Sequence, residues 1–196
     1  ILSDEETSLE ILNMSPKIKL DIKWFIELDE YSNKSRADME RQGIWHNFLK
    51  NKMKVINKAL ENEEDTLFLD SDIQFPSNVI DKLYAHNKDI VSATYSTRYP
   101  PYQTVAFTDP DNITHRLDSA SGLHKIWAVG MGCVLIDKNV FHELPKPWFT
   151  HEYNKIDDTF SGEDIYFCNQ AMHHGIDVWV DADVKLAHIG TKAYTL

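Results

Sequence analysis

The run Asp65-Thr66-Leu67-Phe68-Leu69-Asp70-Ser71-Asp72-Ile73-Gln74-Phe75-Pro76 is a short apolar segment that ends in two carboxylates one residue apart. Thr66–Leu69 has the length and character of a buried strand in an open sheet, and ligands of such sheets collect beyond the carboxyl ends of the strands. Asp70 and Asp72 therefore fall where a crevice is expected. Two aspartates this close repel each other unless a cation or water lies between them, and hard divalent ions such as Mg²⁺ or Mn²⁺ favour oxygen ligands. The same residues also suit an Asx-type turn that caps the chain from Ile73 onward. The segment alone leaves both readings open.

The chain has 196 residues, 42% of them hydrophobic, enough for one well-cored α/β domain without a second. With 20 basic against 31 acidic side chains the formal charge is −11, which argues against a nucleic-acid surface and against residence on anionic membranes. A phosphate-bearing ligand would then need a metal bridge. The two cysteines, Cys133 and Cys168, stand in apolar surroundings and read as buried free thiols rather than a disulfide, which suits a reducing, cytoplasmic setting. No apolar run reaches the roughly 18 residues needed to span a membrane, and no signal-peptide pattern is present. A start at Ile1 rather than methionine leaves room for an upstream anchor or signal. The triplets at Asn13, Asn33 and Asn112 match Asn-x-Ser/Thr, a pattern common by chance.

Outward from Asp70, the apolar positions Ile44, Phe48, Met53, Val55, Ile56 and Leu60 predict an amphipathic helix over residues 39–61 that leads into the strand. Earlier, residues 7–14 suit a short helix, residues 18–28 alternate as a strand, and residues 27–38 form a polar connection. Later, Pro76 opens a helix to about residue 86, and residues 89–96 read as the next strand. This order is βαβαβ, for which a mostly parallel central sheet flanked by helices is expected. Tyr99-Pro100-Pro101-Tyr102 reads as a stiff turn, residues 104–107 as a strand and residues 109–112 as a hairpin turn, together a small antiparallel addition. Gly130-Met131-Gly132 precedes an apolar strand ending at Ile136. Glycines there serve either the close approach of backbone to a ligand or a bulge. A short helix over residues 139–144, a longer one over 162–174 closed by Gly175, and strands over 178–180 and 184–187 complete the chain.

The C-terminal part gathers further chemistry. Glu163 and Asp164 fall at a predicted helix N-terminus, where the macrodipole favours an ionised carboxylate, and such a carboxylate facing a crevice can act as a general base. Acidic residues also favour first helical turns with no such role. His188, after an alternating apolar strand, suits a metal ligand or a hydrogen-bonded core histidine. Trp127, Trp148, Phe149 and Tyr153 offer either an aromatic platform for a sugar or core packing. Arg98, just past the strand over 89–96, is a candidate contact for phosphate or acceptor.

Phe-Leu-Asp-Ser-Asp (68–72), Gly-Met-Gly-Cys-Val-Leu-Ile-Asp (130–137), Gly-Glu-Asp-Ile-Tyr-Phe-Cys (162–168) and His-Ile-Gly (188–190), in that order and spacing, resemble GT-A-fold, nucleotide-sugar-dependent glycosyltransferases, particularly family-2-like enzymes. Small enzymes of this outline occur in large DNA viruses of algae. The resemblance runs from about Ile18 to Gly190 and implies a single GT-A-like, Rossmann-like domain over residues 1–196. Its nucleotide-binding half would be about 1–96 and its acceptor-binding half about 97–196. It implies Mn²⁺ or Mg²⁺ held by Asp70, Asp72 and His188, and a donor, a UDP-sugar first, contacted by Asp70, Ser71, Asp72 and Asn51, the last within Lys50-Asn51-Lys52. It further implies Asp164 as general base with inversion, Glu163 orienting the acceptor, and a glycan or glycoprotein as acceptor. Only Ile1-Leu2 matches the tail of the Ile-Pro-Thr-Tyr type of strand with which the family opens. A nucleotidyltransferase or nuclease using two metals, and a non-catalytic carbohydrate-binding module on the same fold, are the competing classes.

Overall fold

The computed structural model describes residues 44–70, 72–119, 121–154, 159–189 and 193–194. The expected elements over residues 7–14, 18–28 and 27–38, the sequons at Asn13 and Asn33, and Ser71 lie outside them.

Helix α1, Ile44–Glu61, presents a stripe on which Leu49, Met53, Ile56 and Leu60 recur every three or four residues and pack into the core. The chain leaves it through Glu63, whose φ of 57° is left-handed. It then enters strand β1, Thr66–Leu69, and, past the two aspartates, the short strand β2, Ile73–Gln74. Helix α2, Val79–Ala85, starts three residues beyond Pro76 and buries Val79, Ile80 and Leu83. Strand β3, Ile90–Thr94, is buried throughout. Short strands β4, Ala106–Phe107, β5, Leu123–Ile126, and β6, Ala128–Val129, lead to β7, Cys133–Ile136. Helix α3, Lys138–Glu143, is capped by Asp137, whose carboxylate accepts from Asn139 N–H at 2.7 Å. A hairpin of β8, Tyr153–Asn154, and β9, Thr159–Phe160, precedes helix α4, Glu163–His173. The long strand β10, Val178–Lys185, and then β11, Ala187–Ile189, and β12, Ala193–Tyr194, follow.

The main sheet has the order β1-β7-β3-β10-β5. It corrects the expectation of a mostly parallel sheet, because β7 pairs antiparallel with both β1 and β3, β5 pairs antiparallel with β10, and only β3 and β10 pair in parallel. Strand β7 arrives from later in the chain and inserts in reverse between β1 and β3. Periodicity could not reveal this, since β3 and β7 are buried on both faces and such runs look alike in either orientation. Strands β1, β3 and β10 still share one direction, so their carboxyl ends lie along one edge, as the βαβ reading requires. The expected hairpin addition is present: Phe107 bridges Arg116 antiparallel across the 109–112 turn.

Alternation along the central strands divides the core between the two faces of the sheet. Ile90, Val134, Ile136, Val178 and Val180 pack with Ile56 of α1, Phe141 of α3, and Phe167 and Ala171 of α4. Val91, Ala93, Cys133 and Leu135 pack with Val79, Ile80 and Leu83 of α2. Helices therefore cover both faces. Of the two readings of Trp127, Trp148 and Phe149, sugar platform or core packing, the fold bears out the core. Trp127 Nε1 donates to Asn169 Oδ1 at 2.8 Å, Trp148 Nε1 donates to the Leu144 carbonyl at 3.1 Å, and Phe149 stacks on Phe167 with ring centroids 4.8 Å apart. Tyr153 alone of the four is exposed, beside Phe160 on the β8–β9 hairpin. Cys133 and Cys168 are free, buried thiols on opposite faces of the sheet, and burial pushes both up to about 12.

Gly130 and Gly132 bracket Tyr95, and their missing side chains make room for its ring and hydroxyl. A Cβ on Gly132 would stand 2.7 Å from both Cζ and Oη of Tyr95, and one on Gly130 would run into the same hydroxyl and into Val105. Gly132→Ala is therefore expected to cost about 1–3 kcal/mol, as overpacking of a filled core does. A urea melt with an unchanged midpoint would remove this account of the glycine pair.

Candidate functional site

The edge formed by the carboxyl ends of β1, β3 and β10 carries most of the residues singled out in the sequence. Asp70 follows β1 directly and its N–H donates to the Gly132 carbonyl at 2.9 Å. Three residues on, β2 begins and pairs antiparallel with β11, placing Ile73 opposite His188. The Ile189 N–H donates to the Asp72 carbonyl at 2.6 Å, so the backbone itself fixes His188 against Asp72.

His188 Nδ1 lies 2.9 Å from the Ser96 carbonyl. A carbonyl only accepts, so Nδ1 carries the proton and the neutral ring presents a lone pair at Nε2. That nitrogen is buried, no hydrogen bond uses it, and it lies 3.5 Å from Asp72 Oδ1. A lone pair facing a carboxylate oxygen is repulsive unless the ring takes a second proton or a cation stands between them. Burial would lower the His188 pKa, but Asp72 and the Ser96 carbonyl outweigh it and raise it. Burial likewise pushes Asp72 up, and His188 with the Arg98 guanidinium outweighs that, holding its carboxyl below the usual range. Arg98 Nη2 contacts Asp72 Oδ2 at 2.8 Å, so one carboxylate meets two cationic partners.

A carboxylate beside an orphaned imidazole nitrogen, with the other ring nitrogen fixed on a carbonyl, is a donor pair whose chemistry suits a divalent cation. The complete trio expected from the sequence is not assembled: among the described residues, no group of three or more His, Cys, Asp or Glu converges as a metal cage. Asp72 and His188 meet, and Asp70 does not complete the group. Asp70 has an exposed edge, yet the protein around its carboxyl raises its pKa, Lys52 opposes this, and Asp72 and Glu163 add to it.

The second half of the site is the first turn of α4. Glu163 and Asp164 lie there as the sequence predicts, behind Gly162 at the N-cap position. Asp164 Oδ1 accepts from Ile165 N–H at 2.8 Å, and a Cβ on Gly162 would collide with the same carboxylate. Burial, then the neighbouring Glu163, raise the Asp164 pKa to about 6. Glu163 moves the opposite way, because its Oε1 accepts from Lys52 Nζ at 2.9 Å and this ammonium outweighs the effect of burial. Glu163, for which the sequence reading expects a role in orienting the acceptor, is held in this internal ion pair.

Lys52 is the functional candidate that sequence reasoning passed over in favour of its neighbour Asn51. Only 6% of its side chain is exposed, and its ammonium lies 4.7, 5.2 and 4.9 Å from the ring centroids of Phe48, Phe68 and Phe149. The signal was present: position 52 falls four residues from both Phe48 and Ile56, on the core-facing stripe of α1, where a lysine is out of place unless paired. Asn51 is half-buried on α1. Tyr95, buried and accepting from Gly132 N–H at 2.9 Å, joins the two halves, its ring set edge-on to His188 at 5.7 Å. Burial raises its pKa well above the usual value, and Asp70 and Asp164 both add to this.

No protein-family model and no curated protein matches the chain. Among solved structures it is similar to the crystal structure of A197 from STIV, with a TM-score of 0.53 and 17% identity over 73% of this chain and 68% of that one. At that identity the likeness speaks for a shared mixed α/β fold. Among the described residues, no helix is long and apolar enough to cross a membrane.

The Asp72–His188 contact sets signs that can be checked. His188, with its pKa raised on folding, stabilises the fold below about pH 6.5, and this contribution fades as pH rises through the folded-state value. Asp72, with its pKa lowered, contributes above its unfolded value of about 4 and loses that contribution in acid. Asp72→Asn is expected to lower the His188 pKa, read from the imidazole ring proton by NMR titration. An unchanged His188 curve would show that the two side chains do not communicate.

Proposed function

We propose that the protein is a metal-dependent glycosyltransferase that moves a sugar from a nucleoside-diphosphate sugar, a UDP-sugar first among them, to a hydroxyl of a glycan or glycoprotein. The observation that carries this reading is the pairing of two unlike sites on one sheet edge. A carboxylate and an orphaned imidazole nitrogen meet at Asp72 and His188, and a carboxyl with its pKa raised to about 6 stands at Asp164.

When bound between Asp72 and His188, Mn²⁺ or Mg²⁺ neutralises the charge that develops on a departing diphosphate. Ser96 holds the His188 ring so that Nε2 is the nitrogen presented. Arg98, with 44% of its side chain exposed, can exchange the Asp72 carboxylate for a phosphate oxygen and so add a second positive charge on the donor side. Asp164 takes the proton of the acceptor hydroxyl. The oxygen it releases forms a bond to the anomeric carbon as the bond from that carbon to the diphosphate oxygen breaks, and the electron pair leaves with the diphosphate. Displacement in line inverts the anomeric centre. A base with pKa near 6 suits this task, being ionised at neutral pH while retaining proton affinity. Asp70 remains with the donor through its position at the strand end, and the exposed Phe160, three residues ahead of Glu163, stands with its hairpin partner Tyr153 on the acceptor side.

The test is a panel of UDP-, GDP- and dTDP-sugars incubated with the protein with and without Mn²⁺, reading release of nucleoside diphosphate. Metal-dependent release from one donor is expected. Absence of release together with calorimetric binding of glycan alone would instead favour a carbohydrate-binding module. Asp72→Ala is expected to abolish metal-dependent release, and Asp164→Asn to lower kcat by about 10²–10⁴-fold with donor binding retained. Since the base must be unprotonated, the rate should fall as pH drops through about 6 and level off above it. A flat profile between pH 5 and 8 would remove Asp164 from the role.

A further inference from the structure

The described residues place a lysine where the resemblance assigns nothing. Lys52 points from α1 into an enclosure made by Phe48 of its own helix, Phe68 of β1 and Phe149, and its ammonium reaches the Glu163 carboxylate at 2.9 Å. Three ring faces replace much of the water that an ammonium would otherwise require, since a cation over an aromatic face is attracted by the ring quadrupole. The enclosure leaves 6% of the lysine and 14% of the glutamate side chain exposed. A surface ion pair would contribute little, but a pair this enclosed is held in one geometry and one charge state.

Glu163 and Asp164 are adjacent on α4, and two carboxylates so close cannot both ionise at equal ease. Which of them keeps a proton is decided by what else faces them. Lys52 faces them from α1, Asp70 from the end of β1, Tyr95 from the segment after β3, and His151 from the segment before β8. Of these, only Lys52 makes an ion pair with one acid, and it makes it with Glu163. We propose that Lys52 is a positioning residue that keeps Glu163 as a standing anion and so assigns the transferable proton to Asp164. The proposal rests on the reading of Asp164 as the general base. It gives Glu163 a task other than holding acceptor: its fixed negative charge, neutralised on one side by Lys52, sits behind the base and strengthens its pull on a proton.

The consequence is a division of labour that depends on one side chain. With Lys52 in place, a single proton leaves the acid pair near neutral pH, from Asp164. Without it, Glu163 is a buried carboxylate with no counter-ion and competes with Asp164 for that proton, so complete ionisation of the pair requires a higher pH.

The experiment follows the side-chain carboxyl carbons of Glu163 and Asp164 by NMR titration of ¹³C-labelled full-length chain, in wild type, Lys52→Met, Lys52→Arg and Glu163→Gln. No donor or metal is added. In the wild type, one carboxyl should titrate near 6 and the other below the usual glutamate range. Lys52→Met fills the same aromatic enclosure without charge, and in it the Glu163 curve should move up and the last proton should leave at higher pH. Lys52→Arg should restore the wild-type order. Glu163→Gln, which keeps the shape and removes the standing charge, should move Asp164 down. Superimposable Asp164 and Glu163 curves in wild type and Lys52→Met overturn the proposal, as does an Asp164 curve that Glu163→Gln leaves in place. If a donor is turned over, the acid limb of kcat/KM should move to higher pH in Lys52→Met and return in Lys52→Arg, whereas a purely structural lysine would change the amount of active protein and leave the limb where it was. Absence of any turnover would count against the glycosyltransferase reading, and the titration would still decide the role of Lys52.

Discussion

The antiparallel pairing of β2 with β11 is the constraint from which the Asp72–His188 half of the site follows. Each strand is very short and neither has a wide apolar face, yet the pairing ties the segment just after Asp72 to the last strand leaving the main sheet. Because Ile73 lies opposite His188 and Ile189 N–H closes on the Asp72 carbonyl, the side chains of Asp72 and His188 have little freedom to separate. The register of β10 against β3, shifted between Asp181 and Lys185, delivers the chain to that pairing, and Leu186 N–H on the Thr94 carbonyl fastens it. A one-residue slip in β11 would turn His188 to the opposite face and leave its ring without the Ser96 carbonyl. The chemistry at the strand end is thus a property of backbone pairing more than of side-chain packing.

In the half of the site around Glu163 and Asp164 the controlling element is a buried charge. Removing one partner of a buried ion pair generally costs about 3–5 kcal/mol, because the other charge stays behind without compensation. Lys52 and Glu163 therefore form a pair that neither α1 nor α4 can lose cheaply, and it fastens those two helices across the end of β1. The aromatic enclosure is assembled from residues that already serve the core: Phe149 stacks on Phe167 of α4 and meets Phe68 edge-on at 5.6 Å. The same rings that fill one face of the sheet thus also hold the ammonium, and a packing change there would reach the acid pair directly.

Much of this was legible from the residues, and the parts that were not share a cause. The strand before Asp70, the helix leading to it, the helix that opens on Glu163-Asp164, and the two free thiols all follow from apolar periodicity and first-turn chemistry, which are local. Strand order is not local. Nothing in Cys133-Val134-Leu135-Ile136 states that it will insert in reverse between β1 and β3, because a strand buried on both faces carries no mark of direction. The same limit explains the aromatic residues: Trp127, Trp148 and Phe149 read equally well as a platform or as core until their neighbours are known, and they are core. Lys52 was visible as a charge on an apolar stripe, but its partner lies in a distant segment, and only the fold brings Glu163 to it.

The two aspartates of the strand end, so alike in sequence, are made unlike by their surroundings. Asp72 is gripped by cationic partners on both carboxylate oxygens and its pKa is held down. Asp70, two residues earlier, has Asp72 and Glu163 acting against it and its pKa is raised. A pair of equivalent carboxylates would bind one cation symmetrically and repel each other strongly in its absence. The asymmetric pair avoids that cost: Asp72 is kept ionised through Arg98 and His188, and Asp70 is the member of the pair more readily protonated. If a cation is held at Asp72 and His188 as proposed, its charge would also favour the ionised form of Asp70. The strand end thus holds two carboxylates of opposite tendency, one kept ionised by its partners and the other pushed toward its proton by burial and its acidic neighbours.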